Sequence, residues 1–163
     1  MFYEEVFESL NEARVDYVVA GGVALVLHGV VRLTADLDLA VSLSPDNLEK
    51  FVSVMEKLGY KPKAPVRAKD LADPDKREDW IRKKNMRVFS FHHLARPVLI
   101  DIFIEENIKF SELRKHSITI KAGEISIPVV SADDLIKMKR AAGRPQDLAD
   151  IEALKELKKN AKN

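Results

Sequence analysis

Cysteine is absent from the 163 residues. That excludes disulfides, thiolate metal sites and cysteine nucleophiles, and it suits a reducing compartment. Net charge is nearly absent as well, since 27 Lys and Arg against 26 Asp and Glu leave +1. A protein that coats polyanions by bulk charge is thereby excluded, although a local basic patch is not. Long hydrophobic runs are missing too. The longest, Val18 to Val31, is interrupted by Gly21, Gly22, His28 and Gly29 and is too short to span a bilayer. Met1 to Glu5 carry no basic segment, so no secretory signal is expected. Together these absences point to a cytoplasmic protein with no membrane partner. There is no internal repeat, no low-complexity tract and no Gly-Lys-Ser/Thr of a Walker loop.

What remains is an ordinary globular balance, 46% hydrophobic and 33% charged, in a chain long enough to bury a core without staples. Apolar spacing predicts an opening amphipathic helix from Phe2 to Arg14. A strand over Tyr17–Ala20 runs into Gly21-Gly22, and a helix from Val23 to His28 stops at Gly29. Leu37 to Leu43 reads as a second strand. Ser44-Pro45-Asp46 then starts a helix over Asn47–Leu58, which ends at Gly59. Residues 61–85 hold Pro62, Pro65 and Pro74 among many charges and yield one helix, Lys76–Lys84. Met86–Phe91 and Val98–Ile104 form a predicted hairpin, Ser117–Lys121 and Glu124–Val130 another pair. Helices over Ala132–Ala142 and Gln146–Lys159 close the chain. The fold class is α+β: a mixed sheet with helices packed on it and a C-terminal helical part. One domain is expected over 1–163, with its core at about 15–130 and helices over 131–160.

The chemistry concentrates in Thr34-Ala35-Asp36-Leu37-Asp38. Strand alternation puts Asp36 and Asp38 on one side, about 7 Å apart, with Leu37, Leu39 and Val41 on the other. Such carboxylates repel unless a cation or base lies between them, and the geometry suits Mg²⁺ with room for phosphate oxygens. Two solvated aspartates at a strand edge are the alternative. Asp101 interrupts the apolar run Val98–Ile104, and an unpaired buried carboxylate costs several kcal/mol. It needs either a salt bridge or a metal, and with Asp36 and Asp38 it suggests a triad on neighbouring strands. Gly21-Gly22, between a strand and a helix, would let backbone N–H groups approach a phosphate, though a tight turn needs glycines equally. His28 reads as a helix-end packing residue, Trp80 as a core aromatic, and His92-His93 as hairpin residues facing opposite ways. Asp147 and Asp150 could pair with Arg144 or Lys139.

Two stretches together carry a family resemblance: Gly21-Gly22-x-Ala24-x-x-x-His28-Gly29-x-x-Arg32-x-Thr34-x-Asp36-x-Asp38, and Met138-Lys139-x-x-Ala142-Gly143-Arg144-Pro145-x-Asp147-x-x-Asp150-Ile151. They resemble the nucleotidyltransferase (polymerase-beta-like) superfamily, and within it the minimal members grouped with the AbiEii-type toxins of toxin–antitoxin systems. The resemblance implies that Asp36 and Asp38 hold Mg²⁺ or Mn²⁺, and that Asp101 completes the site and helps activate a hydroxyl. It implies that Gly21 and Gly22 cradle the triphosphate of an NTP, and that Lys137, Lys139 or Arg144 neutralise its charge. Arg32 and Thr34 would contact phosphate or order the loop. One departure is Gly22, where many members have serine.

The implied reaction transfers a nucleoside monophosphate from an NTP to a hydroxyl of a tRNA, a protein or a small molecule. A cognate antitoxin is a further implied partner. The stretch Arg67–Arg87 could touch an RNA backbone or form a solvated helix face. Two other readings stand beside this one: a binding module that keeps the fold without catalysis, and an aspartate-based phosphatase using Asp36 and Asp38. Sugar-nucleotide transferases also use Asp-x-Asp, usually on a longer chain.

Overall fold

A computed structural model describes residues 3–161. In chain order the elements are α1 (Glu4–Glu12), β1 (Tyr17–Ala20), α2 (Gly21–His28), β2 (Leu37–Val41), α3 (Pro45–Lys57) and β3 (Lys61–Pro62). A 3₁₀ turn (Ala68–Ala72) leads to α4 (Pro74–Lys84), β4 (Val88–His93), β5 (Arg96–Phe103) and α5 (Phe110–His116). Then come β6 (Ile118–Ala122), β7 (Ile125–Val129), α6 (Ala132–Ala142) and α7 (Pro145–Ala161).

The strands form one mixed sheet in the order β3-β4-β5-β2-β1-β7-β6. Hairpins β4–β5 and β6–β7 are antiparallel, and β1 pairs antiparallel with β2. Two non-local pairings, β2 with β5 and β1 with β7, are parallel. The mixed sheet and C-terminal helices match the expected α+β class. The core lies on the side where Leu37, Leu39, Val41, Ile100 and Ile102 are buried. Phe7 of α1 stacks on Tyr17 there, and Phe51 of α3 meets Phe91 of β4 edge-on.

Local chemistry sets the element ends. Ser44 caps α3 by accepting from the Asn47 N–H, with Pro45 at the first helical position. Asp73 and Pro74 do the same for α4. Each such cap is worth about 1 kcal/mol.

The structure departs from the sequence reading in several places. α2 begins at Gly21, so the glycine pair is its first turn and not a linker before it. β2 ends at Val41. His92 and His93 belong to β4, and the turn is Leu94-Ala95. The short strand β3 and the 3₁₀ turn in the proline-rich stretch, and helix α5, were not anticipated. Phe2 lies outside the described residues. Trp80 is buried, with its ring 5.4 Å from Phe89.

Candidate active site

Asp36 immediately precedes β2, Asp38 is the second residue of that strand, and Asp101 lies on β5. Parallel pairing brings Asp38 and Asp101 into direct register. Residues opposed in register share a face, so the two carboxylates look the same way from adjacent strands. Asp36 joins them by accepting the Leu99 N–H of β5 at 3.1 Å. Asp101 Oδ1 is a buried oxygen with no hydrogen-bond partner.

The electrostatics follow from that crowding. Burial, then the neighbouring charges of Asp101 and Asp36, push Asp38 up from 3.8 to about 7, against the opposing pull of Lys139 and Arg144. Asp101 is raised mainly by burial and also by Asp36, while the neighbouring Ser90 and Lys63 act the other way. Carboxylates raised in this way are short of positive charge.

The glycine turn lies directly against this group. Gly21 has φ +60°, and a Cβ built on it would fall 2.0 Å from Asp38 Oδ2. A Cβ on Gly22 would fall 2.4 Å from the Thr34 hydroxyl and 2.9 Å from Thr34 Cβ. No larger residue fits either position without moving these neighbours. The segment leading into β2 is irregular, and every residue from Arg32 to Asp36 borders the cleft. Val31 and Leu33 are fully solvated, with Leu33 at the cleft mouth.

Helices α6 and α7 supply positive charge. Lys139 is buried, with its Nζ 3.0 Å from Asp150 and 3.4 Å from Asp147. Arg32 pairs with Asp150 from the other side, and Arg144 Nε donates to Asp147 at 2.9 Å. Burial works against ionising Asp147, but the Arg144 hydrogen bonds and the Lys139 charge hold it below its ordinary value. Two buried acids on α7 thus fix three cations around the cleft. Lys137, the remaining cation candidate, is placed elsewhere. It is exposed, pairs with Asp134 at 3.9 Å and does not line the cleft.

The cleft measures about 780 Å³. Its lining includes the cations Arg32, Arg87, Lys139 and Arg144 and the apolar side chains of Val88, Phe103, Ile108 and Phe110. Among the described residues, no group of three His, Cys, Asp or Glu is placed to hold a metal ion by itself. Magnesium does not require one, because it keeps several waters and is usually bound through one or two carboxylates plus substrate phosphates. An unpartnered Asp101 oxygen beside an uptitrated Asp38 fits a divalent cation of that kind, open toward the cleft.

Two histidines make structural contacts. A His28 ring nitrogen lies 2.7 Å from Val130 O, tying α2 to the end of β7. His93 packs edge-on against Tyr60. In the basic stretch, Arg82 and Lys83 pair with Glu78 and Asp79 along α4, and Arg77 is buried on the Leu71 and Leu43 carbonyls. Ser90, which meets Asp101 across the hairpin, was not picked out by the sequence reading. Only strand register reveals it. Among the described residues, no helix is long and apolar enough to cross a membrane.

The family described as "Nucleotidyl transferase AbiEii toxin, Type IV TA system" matches residues 6–163. The fold is similar to the lincosamide antibiotic adenylyltransferase LnuA in its lincomycin-bound crystal structure, at TM-score 0.63 and 18% identity, covering 96% of this chain and 94% of that one. It is also similar to ANT(2'')-Ia in complex with adenylyl-2''-tobramycin, at TM-score 0.59 and 15% identity, covering 94% and 85%. A third similar structure is an antigenic nucleotidyltransferase-like protein from Paracoccidioides brasiliensis, at TM-score 0.54 and 14% identity, covering 91% and 71%. At these identities the likeness is one of fold. No curated protein matches the chain by sequence.

Proposed function

The chain belongs to the AbiEii family of nucleotidyl transferase toxins, and from that premise we propose that its cleft moves a nucleoside monophosphate from an NTP to an acceptor hydroxyl, with Asp36 and Asp38 as ligands for Mg²⁺ or Mn²⁺. The observation that carries this reading is the register of Asp38 and Asp101, with the glycine turn packed against Asp38 and one Asp101 oxygen left without a partner. When bound, the divalent cation supplies Lewis acidity at the α-phosphate.

The remaining roles belong to the chain. Backbone N–H groups at the start of α2 receive the triphosphate, aided by the positive end of the helix. Arg32, Lys139 and Arg144 offset its charge, and Thr34 offers a hydroxyl at the same turn. Asp101, raised by burial, accepts the proton of the acceptor hydroxyl. The acceptor oxygen bonds to the α-phosphorus, the α–β phosphoanhydride bond breaks, and pyrophosphate leaves. The acceptor is a tRNA, a protein side chain or a small molecule, the last being the class on which the two similar antibiotic-modifying proteins act. Within the family's type IV toxin–antitoxin setting, a cognate antitoxin is the expected regulator.

The test needs no knowledge of the acceptor. Melting temperature is measured with each NTP, with and without Mg²⁺ or Mn²⁺, for the wild type and an Asp36→Asn/Asp38→Asn variant. Ligand at about a hundred times its dissociation constant stabilises by about 2.7 kcal/mol, or about 5–10 °C for a chain of this size. A metal-dependent shift that the variant lacks is the expected result. No shift with any nucleotide would sink the reading.

A further inference from the structure

The carboxylate row has two sides, and strand direction tells them apart. β1 runs antiparallel to β2 and ends with Ala20 opposite Asp38, so Gly21 and Gly22 continue toward Asp36. Residues two positions along a strand share a face, and β2 runs parallel to β5. Ala40 therefore follows Asp38, and Phe103 follows Asp101, in the opposite direction. Val88 is opposed to Phe103 across the hairpin. All three line the cleft, so they floor it on the side of the carboxylates away from the glycine turn.

This floor is apolar and open. Ala40 is a small residue, Phe103 is half-buried and Val88 is 38% exposed. Ile108 and Phe110, also half-buried, line the cleft beside it. The segment that carries them is tied down at both ends. The Ile104 and Glu105 N–H groups donate to Arg87 O at 3.0 and 3.3 Å, and the Phe110 N–H donates to Glu106 Oε2 at 2.7 Å. The hollow is thus formed by the protein alone, as small-molecule sites usually are.

Position and charge identify its occupant. In an in-line displacement the attacking and leaving oxygens lie on opposite sides of the phosphorus. With pyrophosphate leaving at the glycine turn, the attacking hydroxyl arrives from the Phe103 side. We propose that this hollow holds the acceptor, and that the acceptor is a neutral small molecule carrying its hydroxyl beside an apolar ring. The proposal rests on the nucleotidyl-transfer reading given above. The acceptor oxygen bonds to the α-phosphorus as the bond to pyrophosphate breaks, and its proton passes to the carboxylate row. Phe103 and Phe110 supply ring surfaces on which such a molecule stacks. A nucleic acid strand fits poorly, because its phosphates call for unmatched Lys or Arg. Arg87, adjacent to Val88, faces Glu105 at 3.7 Å, and Glu106 lines the same cleft. Those three groups together carry net negative charge.

The experiment titrates the full chain with 2-naphthalenemethanol, a neutral bicyclic ring bearing one hydroxyl, in an isothermal calorimeter. It is run without nucleotide, and again with Mg²⁺ and the α,β-methylene form of whichever NTP shifts melting. Binding is expected in both conditions. Val88→Asp is expected to weaken it at least about tenfold, while the metal-dependent nucleotide shift persists. Ile108→Asn, which lies outside any helix or strand, is expected to do the same and decides the matter if Val88→Asp does not fold. No binding by wild type, or wild-type affinity in either folded variant, overturns the proposal. Expulsion of the probe by the nucleotide also overturns it and gives the hollow to the nucleoside. Displacement of the probe by a short single-stranded RNA overturns it in favour of a nucleic acid acceptor. If no NTP shifts melting, the nucleotidyl-transfer reading itself fails and the acceptor assignment falls with it.

Discussion

Gly21 and Asp38 are packed so closely that a single added methyl carbon on the glycine would come within 2.0 Å of a carboxylate oxygen. The turn that would receive phosphate and the strand that carries the carboxylates therefore define each other's position.

Gly21→Ala carries two penalties, and a control separates them. Gly21 and Gly123 have nearly the same φ, +60° and +63°, but a Cβ on Gly123 meets nothing within 4 Å. Placing alanine in left-handed backbone costs about 1–2 kcal/mol. Gly123→Ala should show that cost alone in thermal unfolding, with nucleotide binding intact. Gly21→Ala should lose more stability and also lose the metal-dependent nucleotide shift. Equal behaviour of the two variants would mean that Asp38 moves aside freely.

Asp38→Asn should stabilise the metal-free protein at pH 8. The folded pKa of Asp38, about 7 against an ordinary 3.8, means that folding favours the protonated form. Its stabilising contribution is complete below about pH 4 and lost as pH rises through 7. Asparagine keeps the neutral form at every pH, so the gain over wild type should grow across that window toward an order of 2–4 kcal/mol. Melting curves in EDTA at pH 4 and pH 8 check the sign. A variant less stable than wild type at pH 8 would show that Asp38 is not electrostatically strained.

Lys139→Met and Lys137→Met should differ sharply. Removing Lys139 leaves the buried acids Asp147 and Asp150 with Arg144 and Arg32 as their remaining cations, so the loss should approach, without reaching, the about 3–5 kcal/mol of a buried ion pair broken from one side. Lys137 is exposed and its partner Asp134 keeps the nearby His116, so its loss should stay within about 0.5 kcal/mol. Nucleotide affinity should fall in the first variant and hold in the second. Equal loss of affinity in both would return Lys137 to the site.

Much of this was legible in the residues themselves. Strand alternation separates Asp36 and Asp38 from Leu37 and Leu39, and an aspartate inside an apolar run marks Asp101, because both signals are local. The pairing of Asp147 and Asp150 with Lys139 and Arg144 also follows from the closing motif. Ser90 carries no such mark. Its meaning depends on the hairpin register that opposes it to Asp101, which a bulge near Phe91–His93 shifts. β3 is only two residues long and too short for any periodicity, and α5 is a seven-residue helix whose buried face is Leu113 alone. The start of α2 was placed two residues late, at Val23, because glycine is a poor helix former, whereas here Gly21 and Gly22 pack against Asp38 and Thr34 within the helix's first turn.

The two acids that order the cleft's cations both lie on α7, the last helix in chain order. Until the ribosome has delivered Asp150 and that helix has docked, Arg32 has no anchor and Lys139 has no counter-charge. A nascent chain can complete the carboxylate row once β5 emerges, yet it lacks an ordered cationic wall until synthesis passes α7. The carboxylates and the cations that face them therefore become ordered at different stages of synthesis, the cations later.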